Sequence, residues 1–477
     1  MQPVTEDRIR VVNDRPRNLG SDYVLYWMVA FRRPVWNEAL QHAVATARAL
    51  NKPLVIFEAL RVRYEWASDR LHRFVIEGMR DNRDAFADQP VTYIPYVEPR
   101  PGVGSPALFR LAENACCVIS DDYPCFFLPN MVRAVKDRLP VAMELVDANG
   151  VIPLSRHERT FTVAHSYRRW MQKQMPGVLG EMAVHDPLHN VDLPTLRSLP
   201  ERFASHWQAS DLDHLLCHDG LDHIPIDHDV KPSPIAGGHA SAQQRLKKFL
   251  GGMIDVYDED RNQPDLDGSS QLSAHLHFGH ISAQQIVHEL FENDSWTTDQ
   301  MASQANGKNH SFWNASKGVE AYLDQILTWR EIGFNMAWRH PDTYDRFDAL
   351  PEWALKTIDE HAADDRPQIY SLQQFENAET HDELWNAAQR QLTSVGIIHN
   401  YMRMLWGKKI LHWTASARDA FDIMVHLNNK YALDGRDPNS YSGIMWVLGR
   451  YDRAWGPERE IFGKLRYMTS DSTRKKV

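Results

Sequence analysis

Through the first 125 residues, short apolar runs alternate with amphipathic ones. "DYVLYWMVA" (22–30), "KPLVIFEAL" (52–60), "VTYIPYV" (91–97) and "CCVISDDYP" (116–124) are compact and rich in β-branched and aromatic residues, which predicts buried strands. Between them, "WNEALQHAVATARAL" (36–50), "SDRLHRFVIEGMRDNRDAF" (68–86) and "PALFRLAENA" (106–115) repeat apolar residues three and four apart, which predicts helices. Strands alternating with helices imply a Rossmann-like α/β domain, a parallel sheet with helices on both faces joined by right-handed crossovers. The pattern loosens from about 166 to 235, where "HDPLHNVDLPTLRSLP" and "CHDGLDHIPIDHDVKPSPIAGG" concentrate Pro, Asp, His and Gly. From "SAQQRLKKFLGGMIDVY" onward the periodicity is helical to the end. At 477 residues the chain exceeds what one core serves. The expected division is an α/β domain at 1–165, a connector at 166–240 and an all-α domain at 241–477.

Composition narrows the function classes. No glycine-rich GxGxxG follows the first strand, so the topology need not mean dinucleotide binding. Four cysteines, Cys116, Cys117, Cys125 and Cys217, are too few and too irregular for a disulfide framework. No apolar run is long enough for a membrane helix and the N-terminus lacks a signal-peptide core, so a cytoplasmic protein without membrane contact is expected. The formal charge of −10 argues against a uniformly basic coat, yet residues 401–477 hold 14 Lys/Arg against 8 Asp/Glu, which permits a basic face at that end. The histidines of the connector (His218, His223, His228, beside Cys217) and of "SAHLHFGH" (His275, His277, His280) fit no zinc spacing, and no metal is expected.

The chemistry concentrates in the C-terminal half. In "MRMLWGKKILHWT" (402–414), Trp406 and Trp413 lie close to two helical turns apart, which would set both on one face with roughly 10 Å of rise between them. Core filling is the plain reading for such a pair, and Trp385 in "HDELWNAAQ" must be weighed with them. "YDEDRNQPDLDGSSQLSAHLHFG" places Tyr257 ahead of a Ser/Gly turn that could cradle phosphate. "YLDQILTWREIGFNMAW" and "GIIHNYMRMLW" bring Trp329, Asn400, Arg403 and Met404; "LNNKYALDGRDPNSYSGIMW" brings Asn428, Asp434, Asp437 and Trp446. Arg403 and Asp434 could pair beside an electron-accepting ring and tune its charge states.

"THDELWNAAQ", "MRMLWGKKILHWT", "LNNKYALDGRDPNSYSGIMW" and "REIFGKLRYM" together closely resemble the class II cyclobutane pyrimidine dimer photolyases of the photolyase and cryptochrome superfamily. "YWM", "LHRFVIEGM" and "VDANGVIPLSRHERTFTVAHSYRRW" match more loosely. The resemblance implies an α/β antenna domain and an all-helical domain holding U-shaped FAD. Tyr257, Ser269, Ser270, Leu272 and Ser273 then look like the FAD phosphate site. Asn400, Arg403, Asp434 and Asp437 look like flavin and adenine contacts, and Asn428 the residue facing flavin N5. Trp385, Trp406 and Trp413 are similar in spacing to the family's photoreduction chain, which would pass electrons from the surface to excited flavin. Trp446, Trp329 and Met404 look like walls of a pocket for an extruded DNA lesion, with Arg450, Arg453, Lys464 and Arg466 as candidate phosphate contacts.

Two positions depart from the family pattern. Gln325 stands where a glutamate commonly faces the dimer, and an amide cannot serve as a carboxyl proton source. Gln271 stands where an asparagine is expected. Both touch the lesion pocket and leave flavin binding intact. The implied activity is light-dependent repair of DNA containing pyrimidine dimers, by electron transfer from excited FADH⁻. A cryptochrome-like photoreceptor without repair is the alternative, and a flavoprotein that transfers electrons to some other substrate is a third. A second antenna chromophore of deazaflavin, folate or flavin type would sit near "VLYWMVAFRR" and "SDDYPCFFLPN". A monomer is expected.

Overall fold

The computed structural model describes residues 2–475. Six strands form one sheet: β1 (Ile9–Val11), β2 (Tyr23–Met28), β3 (Leu54–Leu60), β4 (Thr92–Val97), β5 (Ala115–Asp121) and β6 (Met143–Val146), in the order β1-β6-β5-β2-β3-β4. All neighbours pair in parallel except β1 with β6, which is antiparallel. Every residue of β2, β5 and β6 is buried, as expected of central strands covered on both faces. The apolar stripe of α1 (Asp69–Phe86), with Leu71, Phe74, Val75, Ile76 and Met79, is buried. The C-terminal half is helical, and among the described residues only isolated bridges occur beyond Val146.

The chain divides into two compact units, 1–158 with 176–247 and 272–289, and 159–175 with 248–271 and 290–477. This differs from the expected three-segment division. The segment 166–240 is not a free connector, because most of it packs into the first unit: Leu212, Leu215, Leu221 and Ile224 share a core with Leu60, Val62, Val75 and Met79. The chain also returns to that unit at 272–289, a step that helical periodicity does not reveal.

The sheet reverses its order of construction between β2 and β5, the switch point where open α/β sheets bind ligands at strand C-termini. Here the Asp121 carboxylate accepts the successive backbone N–H groups of Val29, Ala30 and Phe31 (2.8, 2.6 and 2.9 Å) and the Tyr26 hydroxyl (2.7 Å). Such a run of N–H groups is what a nucleotide phosphate would use. The protein's own carboxylate fills it, which gives a physical reason for the missing glycine motif.

In the second unit, close helix packing is set by two glycines. A Cβ on Gly333 would lie 2.9 Å from Asn439 Cα, so the helix Arg330–Arg339 meets the helix Pro438–Val447 at backbone distance. A Cβ on Gly407 would lie 2.7 Å from Val447 Cγ2, which brings the helix Asn400–His412 against the same element. Asp437 caps the helix Pro438–Val447, accepting the Asn439 N–H at 2.7 Å, with Pro438 at the first helical position.

Candidate functional site

One helix organises the site. Asn400–His412 carries Arg403, Met404 and Trp406, and Arg403 and Trp406, three apart, share a face. Asn400 itself is exposed at its start, and Met404 is half-buried. The Arg403 guanidinium donates through Nη2 to both oxygens of Asp434 (2.9 and 3.2 Å). Its Nε is buried with no hydrogen-bond partner among the described residues. A buried donor left unmade costs about 1–3 kcal/mol, so an acceptor supplied by a ligand would be stabilised at this atom. A flavin ring carbonyl or nitrogen is such an acceptor, and the donor set fits FAD.

Around that pair, Asn428 is buried and donates to Ser440 Oγ at 2.6 Å, while its neighbour Asn429 accepts the Arg436 N–H and donates to the Tyr441 hydroxyl. Asp437 is buried at the helix cap described above, so one of its oxygens is engaged in folding. Tyr257 is buried edge-on to Phe249 and Tyr322, and the Tyr322 hydroxyl donates to Ser270 Oγ (2.8 Å). Ser269 is half-buried beside it. Gln271 has φ of +52° and its amide donates to Asp267, so an elongated side chain occupies a left-handed position that suits asparagine. Leu272, fully buried, and Ser273 begin the segment that belongs to the first unit.

The tryptophans form a connected set. Trp385, fully buried, donates its indole N–H to the backbone carbonyl of Trp406 (3.0 Å) and meets Trp413 edge-on with centroids 6.1 Å apart. The Trp406 indole donates to Gln389 Oε1 at 2.8 Å. Two expectations are corrected. Trp413 does not ride the helix face above Trp406, because the helix ends at His412 and Trp413 is its cap residue, so its ring turns toward Trp385. Arg366, donating to the carbonyls of Leu411 and Thr414, supports that ending. Nor does Trp413 reach the surface, being 2% exposed. The outward contacts of its ring are Tyr370 (5.9 Å), which is half-buried, and His381 (4.9 Å), which is exposed. Sequence reasoning missed both, since no spacing links them to the tryptophan motif. The Lys409 ammonium lies 5.2 Å from the Trp413 centroid. At an effective dielectric of about 20, a unit charge so placed opposes a positive charge on that ring by about 3 kcal/mol.

The candidate lesion residues fall on other elements of the same unit. Gln325 and Trp329, both half-buried, lie on a π-helical turn, Asp324–Trp329, a local irregularity frequent at functional sites. The Asp324 carboxylate is held by Arg168 (2.6 and 3.2 Å) and by the Trp329 indole N–H (3.2 Å). Trp446 is half-buried beneath two cations, Lys408 at 5.6 Å and Arg466 at 5.4 Å from its centroid. Arg466 also pairs with Asp452 (2.8 and 3.2 Å). Lys408 is buried, donates to the Val447 carbonyl, and is pushed down to about 7, chiefly by desolvation. Arg450, expected at a phosphate, is instead buried and donates to the Ala349 carbonyl (2.6 Å), which removes it from the surface. Arg453 is exposed over Trp455, and Lys464 is exposed and paired with Glu458.

In the first unit, Tyr64, Trp66, Phe126 and Phe127 form an aromatic cluster near strand C-termini, with Tyr64 stacked on Phe127 (5.1 Å) and Trp66 on Phe126 (6.0 Å). Trp66 and Phe126 hold left-handed backbone, φ +64° and +60°, unusual for bulky residues. The histidines His275 and His280 pack against Phe74 (5.2 and 5.1 Å), and His280 Nδ1 accepts the Gly238 N–H.

Comparison with known proteins places the chain. No family model matches the chain. A deoxyribodipyrimidine photo-lyase of Methanothermobacter thermautotrophicus is 31% identical over 473 residues, covering 98% of this chain and 96% of that protein. The deoxyribodipyrimidine photo-lyase of Oryza sativa subsp. japonica is 33% identical over 480 residues, covering 98% and 88%. In fold, the chain is similar to a class III photolyase from Agrobacterium tumefaciens, with a TM-score of 0.64 at 18% identity over 91% of this chain and 81% of that one. No helix among the described residues is long and apolar enough to cross a membrane. The chain belongs to the deoxyribodipyrimidine photo-lyase family.

Proposed function

We propose that this protein is a class II photolyase that repairs cyclobutane pyrimidine dimers in DNA with light, by electron transfer through FAD. The observation that carries this reading is one helix bearing, a single turn apart, a guanidinium with an unmet buried donor and the inner member of a linked tryptophan chain. Bound FAD would supply the light-absorbing, electron-donating ring. Arg403, fixed by Asp434, would hold that ring through Nε, and Asn428, braced by Ser440, would face it. Tyr257 with Ser269, Ser270, Leu272 and Ser273 would take the phosphates; Asn400 and Asp437 are the remaining cofactor contacts in this reading.

Trp406, Trp385 and Trp413 would carry oxidising equivalents outward during photoreduction. The indole hydrogen bonds of Trp385 and Trp406 to fixed acceptors limit the reorganisation that transfer through those two rings requires. Trp329, Trp446 and Met404 offer half-buried apolar surface suited to an extruded base pair, since every base has a face to stack. Gln325 and Gln271 would contact the lesion as hydrogen-bonding amides, and Arg453 and Arg466 remain as phosphate contacts. The aromatic cluster around Phe126 suits a planar antenna chromophore. Asp121 in the N–H run makes a phosphate at that point unfavourable.

The test is repair of a defined thymine dimer in single- and double-stranded oligonucleotides by the photoreduced protein, with a dark control. Recovery of intact thymines only in light is expected. Normal photoreduction of bound FAD without repair would overturn the lyase reading in favour of a cryptochrome-like photoreceptor, the reading that Gln325 in place of glutamate favours.

A further inference from the structure

Tyr370 is joined to Trp413 twice, by ring contact at 5.9 Å and by its backbone N–H donating to the Trp413 carbonyl at 3.0 Å. Its phenol oxygen lies 2.6 Å from His381 Nδ1 and also accepts the backbone N–H of His381 at 3.1 Å. One lone pair is engaged by that N–H; we assign the hydroxyl proton to the bond with Nδ1 and the proton of the neutral ring to Nε2, the tautomer in which the phenol is the donor. The two rings stack at 6.0 Å and 22°, and His381 is exposed to solvent.

We propose that His381 is the proton acceptor that makes Tyr370 the outer terminus of the tryptophan chain; this rests on the photoreduction reading above. Photoexcited flavin is the oxidant, and its effect reaches Trp413 as a one-electron vacancy. One electron then passes from Tyr370 to the Trp413 radical cation, and the phenolic O–H proton passes to His381 Nδ1. The products are neutral Trp413, a neutral tyrosyl radical and an imidazolium at His381, an exposed residue. Without a proton acceptor the phenol would become a strongly acidic radical cation, and the transfer would run uphill. The Lys409 ammonium beside Trp413 favours moving positive charge off that ring and onto the exposed imidazole.

The titratable groups around His381 do not duplicate its role. His412, against the other side of Trp413, is held neutral by burial down to about 4. Lys409 and Arg366 carry no accepting lone pair when charged. Asp382, next in the chain, is turned to the amides of Leu384 and Trp385 and to Ser470.

The experiment is transient absorption and EPR on flavin-loaded protein after a light pulse, in wild type, His381→Gln and Tyr370→Phe, across pH and in D2O. In wild type the tryptophan radical cation should give way to a neutral tyrosyl radical, more slowly in D2O. Glutamine can accept the hydrogen bond but cannot take the proton, so His381→Gln should form the tryptophan radical normally and slow tyrosine oxidation by about a hundredfold, the usual scale of a placed base. Tyr370→Phe should keep the tryptophan radical alone. In the dark, nitrogen NMR of wild type should show Nδ1 of His381 as an unprotonated acceptor, whether or not flavin is bound. A tyrosyl radical formed at an unchanged rate in His381→Gln, without an isotope effect, overturns the proposal, as does a normal tryptophan radical that never passes to Tyr370. Failure of any tryptophan radical to form overturns the photoreduction reading, and this proposal with it.

Discussion

Lys408 offers a quantitative check on the packing behind Trp446. Its ammonium is 1% exposed, hydrogen-bonded to the Val447 carbonyl and pushed down from 10.5 to about 7 by desolvation, with nearby Arg466 adding to the effect and Asp452 opposing it. The folded value is the lowered one, so above pH 10.5 neither state carries the proton and burial costs nothing. As pH falls from 10.5 toward about 7 the unfolded chain takes up a proton that the folded chain refuses, and stability is lost. Each pH unit in that window is worth about 1.4 kcal/mol, or about 5 kcal/mol across it. Lys408→Met keeps the length and removes the titration. Unfolding of both proteins in urea at pH 7, 8, 9 and 10, at one flavin concentration, should show wild type gaining on the variant by about 1.4 kcal/mol per unit; subtracting the two curves cancels every other lysine and tyrosine. Parallel curves would refute the reasoning and mean that water reaches the ammonium.

Three buried histidines set an acid limit. His72 and His275 are lowered to about 4 and His157 to about 3, chiefly by desolvation, and all three lie in the first unit. Stability conferred by keeping them neutral is complete above about pH 6.5 and should fall by about 4 kcal/mol per pH unit below it, so circular dichroism should show acid unfolding well before pH 4. Gln271→Asn, at a φ of +52°, should leave stability unchanged or raise it by about 0.5–1 kcal/mol, read from the thermal midpoint; a clear loss would mean the contact with Asp267 matters more than the backbone. Trp385→Phe should cost about 1–2 kcal/mol through the lost hydrogen bond to Trp406 and abolish photoreduction by external donors, while repair by chemically reduced protein continues. Photoreduction at the wild-type rate would remove Trp385 from the chain.

The elements that could be read from the sequence are those whose burial is uniform along their length. β2, β3 and β5 appear as unbroken apolar runs because helices cover both faces, and α1 as a clean stripe because one face is wet. β1 and β6 escaped notice for opposite reasons. β1 is three residues of half-exposed edge, and β6 carries Glu144 in its middle, a charge tolerated only because Arg17 and His42 meet it at 2.7–2.8 Å. The return of 272–289 to the first unit is a tertiary event, decided by which core the helix fills and not by its period.

At the site, motif order identified the residues of the Arg403–Asp434 pair and the tryptophan set, and local geometry then changed their roles. A seven-residue spacing places two rings on one face only while the helix lasts, and it lasts to His412. One residue beyond, Trp413 is released to face Trp385 and to receive Tyr370 and His381 from a loop and a helix start far away in the chain. Arg450 shows the same limit from the other side, since a basic residue in a basic segment looks like a phosphate contact until a buried carbonyl claims it. The π-helical turn at Asp324–Trp329 shifts Gln325 and Trp329 relative to the regular helix that their spacing implies. Spacing selects residues, and the ends and irregularities of helices decide which of them meet. That is why Tyr370 and His381, the outward contacts of Trp413, are seen in the fold and not in the motif.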